Sequence, residues 1–596
     1  MGVSTRYLAL LATCLALGAF AADPGKVLRL AFQNAESTFD PALFQDIYSS
    51  MVAGNIFDPM LRYDYLARPA KLIPNTLAAM PEISADGMTL TFRVQEGIYF
   101  TPDPAFNGRR RELTAADYAY SIQRFFDPKV KSPNLYLVEG KIVGLDEAAA
   151  RARATGRFDY DAKHAGLQVL DRYTLRVRLT RPDYTFAHLM AIQQFGAVAR
   201  EVAERHGEDV GSHPVGTGPF VLTHWRRAHK IVLEANPEFR ATTLETEGAT
   251  DEDAAIVRDV GGRQLPLVGR VEIFVVEENQ PRWLAFLNGE HDLIQWVPPE
   301  FINNVVAEGR LAPYLARRGV RMVQEIQPRT GYTYFNLEDP VLGGYEPQQV
   351  ALRRAISLAY NQPDEIRVLR KNQAIAAQSP IPPGVSGYDP QLRSPTVEFN
   401  PAKAKALLDM FGYVDRDGDG YRERPDGSAL AIELASRSDS ETRTYDELWK
   451  RSMDEVGIRI TFRKGRWPDL LKESLANKLQ MWSLSWSAQF PDGDNFMGMF
   501  YGPNSGKSND ARFRLAGYDR LYEASRVMPD SPERSRLYQD MTKLILAYAP
   551  WVLHVHHQST HLVSPWVKGY KKHPFVSTQW RYLDIDVEAQ GRARAP

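Results

Sequence analysis

Residues 447–462 read Glu447-Leu448-Trp449-Lys450-Arg451-Ser452-Met453-Asp454-Glu455-Val456-Gly457-Ile458-Arg459-Ile460-Thr461-Phe462. Glu447–Val456 predicts a helix, Gly457 supplies the residue type that ends one, and Ile458–Phe462 alternates as a strand does. The same exchange of helix and strand recurs on both sides. Asn400-Pro401 is a cap followed by Pro at the first helical position, with Ala404, Leu407, Leu408 and Phe411 as the apolar stripe and Gly412 as the stop. Ser531-Pro532 repeats that signal, with Leu537, Met541, Leu544, Ile545 and Tyr548 as the stripe and Pro550 as the stop. Toward the N-terminus, Val27–Phe32 and Thr89–Val94 predict strands, the second following the Asp86-Gly87 turn. Thr114 with Asp117 opens a helix carrying Tyr118, Ile122 and Phe125, which stops at Asp127-Pro128. Tyr173–Leu179 places Leu175, Val177 and Leu179 on one face and Arg176 and Arg178 on the other, as a half-buried strand does. Two polar stretches, 145–165 and 241–260, read as surface excursions. Intermixed strands and helices make the fold class α/β.

The chain has 596 residues and a formal charge of −1, so no global charge calls for a nucleic acid partner. Its one cysteine, Cys14, excludes an intramolecular disulfide and any Cys-based zinc site. Arg6, the apolar stretch 7–20 and the small residues Ala19 and Ala21 form the pattern of a cleavable secretory signal over residues 1–21. The stretch is shorter than the roughly 20 residues of a spanning helix. Leu11-Ala12-Thr13-Cys14 offers a second route, lipid anchoring at Cys14. Either way the mature protein is expected outside the cytoplasm.

Signatures of catalysis are absent. There is no Walker A, no HExxH and no G-x-S-x-G, and in Gly216-Thr217-Gly218-Pro219 the proline has no N–H to offer a phosphate. A secreted hydrolase is therefore the weaker reading, and no cofactor is expected with one exception. Asp415, Asp417, Asp419, Glu423 and Asp426 fall at positions 1, 3, 5, 9 and 12 of a loop with Gly420 at 6, the spacing of a Ca2+ loop. The loop departs from that pattern in having Asp at 12 and a strand-like Leu430–Leu434 after it; an Asp/Gly-rich hairpin turn is the alternative. His554 and His556 share a strand face, which would suit a metal or metal complex, and His557 and His561 lie close by. Leu479–Trp486 alternates Met481, Ser483 and Ser485 against Trp482, Leu484 and Trp486, and runs into a loop holding Asp492 and Asp494. Such a strand is either ordinary core or the wall of a small-molecule pocket.

An ordered set of segments resembles the extracytoplasmic solute-binding proteins of peptide-type ABC importers, the dipeptide/oligopeptide/nickel group. These are Phe39-Asp40-Pro41, 55–61, 86–100 with 113–117, 216–220, Asn236-Pro237, 287–292, Phe335-Asn336, 354–356, 381–384, Asn400-Pro401, 549–551 and 567–570. The resemblance implies a two-lobed periplasmic binding protein fold with a hinge. Lobe I would take 22–320, with an extra subdomain at about 61–213; lobe II would take 321–549, and 550–596 would return to lobe I. It implies capture of a peptide or peptide-like solute between the lobes, then delivery to a membrane permease and its ATPase at the inner membrane, by a monomer in the periplasm. In peptide-binding relatives an Asp three residues beyond the late Trp holds the α-amino group. Here that Trp is similar to Trp486 and the third residue on is Gln489, which offers no counter-charge. The ligand set implied is Glu36, Ser485, Trp486, Ser487, Gln489, Asp492 and Asp494, with either Asp or Glu36 replacing the missing carboxylate. A non-peptide solute or a metal complex is the alternative cargo.

Overall fold

The computed structural model describes residues 22–594 except 308, 395 and 577. The expected signal segment, with Cys14, lies outside the described residues. Strand β1 (Asp23–Phe32) opens the first sheet. The chain then leaves for a smaller antiparallel sheet centred on β2 (Thr89–Arg93) and β3 (Thr174–Arg178), paired from Thr89–Arg178 to Arg93–Thr174. Helix α1 (Ala115–Arg124) starts between them, where the Asp117 carboxylate accepts the Thr114 N–H at 2.7 Å. The chain returns through β4 (Phe220–Arg226), β5 (Lys230–Ala235) and β6 (Val268–Val275), completing the order β1-β6-β5-β4 with β1 and β6 parallel. Gly216 and Gly218 make the turn into β4, because a Cβ on either would lie 2.0 or 2.6 Å from the Ile56 carbonyl oxygen.

The large sheet of the second half contains β7 (Arg321–Phe335), β8 (Ala431–Arg437), β9 (Arg459–Gly465), β10 (Met481–Ser487) and β11 (Trp551–Val563). Its order is Leu293–Ile294, β11, β7, β10, β8, β9. Helices start and stop where their caps dictate. Asn400 caps Pro401–Met410 and Ser531 caps Pro532–Tyr548, each accepting the third backbone N–H.

Both polar excursions contain ordered, packed structure. Leu145–Thr155 is a helix, α2, with Leu145, Ala148, Ala149 and Ala152 buried. These fall at i, i+3, i+4 and i+7, so a narrow stripe of small side chains suffices to dock it. The 241–260 stretch ends in helix Ala254–Val260, and its Leu244, Ile256 and Val260 pack with Tyr65 and Tyr582. The surface reading of these segments is corrected accordingly: charged residues such as Glu147, Arg153 and Glu252 cover their outer faces while a few apolar ones anchor them.

Core residues fall into two large clusters. One holds residues from Leu28 to Leu293 and is completed by Val563, Trp566, Val567, Tyr570, Trp580, Leu583 and Ile585. The other runs from Tyr332 to Leu553. Each buried Leu, Ile or Phe side chain contributes about 1.5–3 kcal/mol, so either cluster supports its own lobe. Among the described residues no helix is long and apolar enough to cross a membrane.

Candidate functional site

The two cores are joined by the long strands β7 and β11. Arg321–Ile326 pairs with the far end of β11, where Leu562 and Val563 belong to cores of the first half. Thr330–Phe335 pairs with β10 and the near end of β11, where Tyr332, Tyr334 and Phe335 belong to the second core. The register shifts between Ile326 and Thr330. A register break of this kind adds local twist without ending the strand, which suits a hinge.

Beside the crossing lies a cavity of about 390 Å³ in the second lobe. β10 contributes Trp482, Ser483, Leu484 and Ser485; α3 (Ser440–Glu455) contributes Tyr445 and Trp449; α4 (Trp467–Leu475) contributes Trp467. Arg329, Arg370, Arg437 and His557 supply donors. Trp467 and Trp482 pack with ring centroids 4.8 Å apart. The edge of β10 toward β8 is mostly open, because the pair is made only through Leu434–Met481 and Ala435–Trp482. Among the described residues Ser483–Ser487 thus has β7 on one side and no strand on the other.

Among the described residues the charges of the cavity are matched in pairs with one exception. Glu365 accepts from Arg370 Nε at 2.7 Å, Tyr360 Oη at 2.9 Å and meets His554 Nδ1 at 2.8 Å. Burial opposes its charge, but His554 and Arg370 outweigh burial and hold its carboxyl below the ordinary range. Asp446 is paired with Lys464, and Arg437 with Asp439 at 3.1 Å. Arg329 has no carboxylate among the described residues; its Nε donates to the Ser485 hydroxyl at 2.9 Å. Burial, then the two nearby guanidiniums, push His557 well below its ordinary pKa, so the ring is neutral.

The residues singled out from sequence divide. Ser485 lines the cavity and anchors Arg329, Trp486 is exposed, and Ser487 pairs with Arg329 in the ladder. Gln489 reaches the first lobe, donating through Nε2 to Tyr136 Oη at 3.1 Å. The next residue, Phe490, joins the first core and stacks on His188 at 5.6 Å. Of the carboxylates meant to replace a counter-charge, Asp492 is committed elsewhere, whereas Glu36 Oε2 and Asp494 Oδ1 are buried with no hydrogen-bond partner among the described residues. Asp492 accepts from Arg534, from Tyr538 Oη at 2.8 Å and from the Asp494 N–H at 2.9 Å. Glu36 accepts from Trp225 Nε1 at 2.6 Å and the Ala228 N–H at 3.1 Å, bracing the β4–β5 turn. Asp494 lies inward in the second lobe, where burial and neighbouring Asp492 raise its carboxyl pKa.

The Asp-rich loop brings the carboxylates of Asp415, Asp417, Asp419 and Glu423 within 4.8 Å of one another. Asp426 stands apart, accepting from the Ser428 N–H at 3.0 Å. Asp415 and Asp417 accept backbone N–H groups of the loop, and Arg459 pairs with Asp419 at 2.6 Å. For the histidine pair, His554 is held between Glu365 and Thr333 Oγ1, with neither ring nitrogen free for a metal, while His556 Nδ1 faces Thr330 Oγ1 at 3.0 Å and its Nε2 is buried without a partner among the described residues. Sequence reasoning did not find Arg329 or Tyr445, because no local motif marks them, and it noted His557 only as part of the histidine cluster, not as a cavity donor.

A family model for bacterial extracellular solute-binding proteins, family 5, matches residues 71–508, well over half of the chain. The chain belongs to this family. As a family 5 receptor it is a solute-binding protein and not an enzyme. It is 25% identical to di/tripeptide-binding protein 2 of Pseudomonas aeruginosa, over 98% of this chain and 99% of that protein. It is also 25% identical to heme-binding protein A of Haemophilus influenzae, over 86% of this chain and 84% of that protein. Among solved structures, the periplasmic binding protein DppA of Helicobacter pylori, in complex with peptide STSA, superposes with a TM-score of 0.67 at 21% identity, covering 94% of this chain and 99% of that one. The shared fold of this receptor family is two-lobed and α/β.

Proposed function

We propose that this receptor captures a peptide or peptide-like solute between its lobes and hands it to an ABC permease and its ATPase at the inner membrane, acting as a monomer in the periplasm after loss of a signal peptide. The open Ser483–Ser487 edge of β10 carries the reading. An extended backbone can add to such an edge as a further strand, while the adjoining cavity takes a side group. Gln489 and Phe490, on the same segment, touch the first lobe, so a solute held there has differential contacts in the closed state. The relative named for di/tripeptides supports a peptide cargo; the one named for heme keeps a tetrapyrrole as the competing cargo. Mass spectrometry of solute co-purifying with the protein tests this. Peptide masses are expected, and a saccharide or tetrapyrrole refutes the peptide reading.

A further inference from the structure

The solute's own chemistry can be narrowed, and the narrowing rests on the site assigned above. Charge accounting in the cavity leaves one group over. Arg370 is matched by Glu365, Arg437 by Asp439 and Asp446 by Lys464. Arg329, half-buried at the strand crossing, is held among the described residues only by a neutral hydroxyl. A partly desolvated guanidinium without a counter-ion costs free energy that a bound anion recovers.

His557 adds a second donor. Arg370 Nη1 lies 3.4 Å from His557 Nδ1. A guanidinium can only donate, so in the neutral ring Nδ1 is the acceptor and the proton sits on Nε2. That Nε2 is buried and has no partner among the described residues. A guanidinium without a counter-ion and a ring N–H without an acceptor therefore line one cavity, and no carboxylate of the described lining residues is free to receive an ammonium. Part of the wall is apolar: Trp449, Trp467 and Trp482 form it, and Trp467 continues outward into exposed Leu471 and Leu475, one turn apart on α4.

We propose that Arg329 and His557 form an anion subsite that takes a carboxylate of the solute, with the tryptophan wall taking an apolar group beside it. The receptor then selects acids carrying a flat apolar body, N-blocked or cyclic peptides among them, over solutes whose anchor is a free amine. Charge-assisted pairing with a guanidinium is about twice as strong as a neutral hydrogen bond.

The test uses 2-naphthylacetate and 2-naphthylacetamide, near-isosteric probes of which only the first carries a charge, titrated calorimetrically into the purified receptor. The acid is expected to bind about ten-fold more tightly or better, the span of one charge-assisted bond. Arg329→Gln should bring the acid down to the amide's affinity and leave the amide unchanged, and Arg329→Lys should keep part of the preference. An unchanged melting temperature in both variants shows that the site is intact. Equal affinities in the unmodified receptor, a preference that survives Arg329→Gln, or failure of both probes to bind overturns the proposal. These outcomes are separate from the identity of the co-purifying solute. A peptide without acid preference refutes the subsite and keeps the cargo; acid preference with a non-peptide cargo does the reverse.

Discussion

Asp492→Ala separates a structural carboxylate from a solute-binding one. In the folded protein Asp492 is 3% exposed and Arg534 2%. The carboxylate meets both Arg534 terminal nitrogens, accepts Tyr538 Oη at 2.8 Å, and takes the Asp494 N–H that shapes the loop after Phe490. Its removal leaves the guanidinium buried with the Ser525 carbonyl as its remaining acceptor, 2.9 Å from Nε. Breaking a buried pair by deleting one partner costs about 3–5 kcal/mol. Each kcal/mol moves the midpoint of a 150–250-residue unit by about 2–4 °C, so the second lobe is expected to melt about 6–20 °C lower. Differential scanning calorimetry of solute-free protein reads this directly. Asp492→Asn, which keeps one acceptor, should fall between the two. If Asp492 instead held a solute's ammonium, the Ala variant would melt within about 2 °C of the parent, as surface substitutions do, and lose affinity; that result refutes the assignment.

Gln489→Asp should raise affinity for a free-amine dipeptide by about ten-fold through a charge-assisted bond, and unchanged calorimetric affinity would remove this position from the amine site. Burial raises the Asp510 pKa to about 6, against Ser474 and Arg512. A raised acid stabilises below its unfolded value near 4 and loses that contribution as pH rises through about 6. Asp510→Asn is therefore expected to leave stability at pH 4 unchanged and increase it at pH 7.5 by about 1–3 kcal/mol, measured by urea unfolding. Burial holds His556 and His561 down to about 3. Their contribution is present above the unfolded value near 6.5 and is lost as pH falls toward 3, by about 1.4 kcal/mol per pH unit for each ring, and His556→Gln should flatten that acid limb. Millimolar calcium is expected to leave the melting temperature unchanged, because Arg459 and backbone N–H groups already occupy the Asp415–Asp419 carboxylates; an upward shift would show metal binding there.

Elements whose cause is local could be read from sequence. Ser531 with Pro532 sets one helix start, and Ala549, in the left-handed region before Pro550, sets its end. Thr114 and Asp117 do the same for α1. The 145–155 helix was hidden because alanines at helical spacing carry little apolar weight, though the spacing was present. The site was legible only along β10, where Ser485 and Trp486 stand in an alternating run. Its chemistry comes from pairings no window contains. Glu365 and His554 are 189 positions apart, and Arg329 and Ser485 are 156 apart. Asp492 looked available because its partner, Arg534, lies 42 residues later on a helix that sequence places but cannot orient.

The first core cluster is closed by Trp566, Val567, Tyr570, Trp580, Leu583 and Ile585, all from the end of the chain. Lys26 and Asp584 meet at 2.6 Å, and Gln590 bonds the Val27 carbonyl at 3.3 Å. Synthesis runs in the opposite sense to this closure. The N-terminal lobe is made first and finished last, and the second lobe can assemble around its own core while the first still lacks part of its interior. The unfinished lobe leaves apolar surface waiting for the last few dozen residues, the interval in which a holding chaperone has most to bind and a C-terminal truncation does most harm.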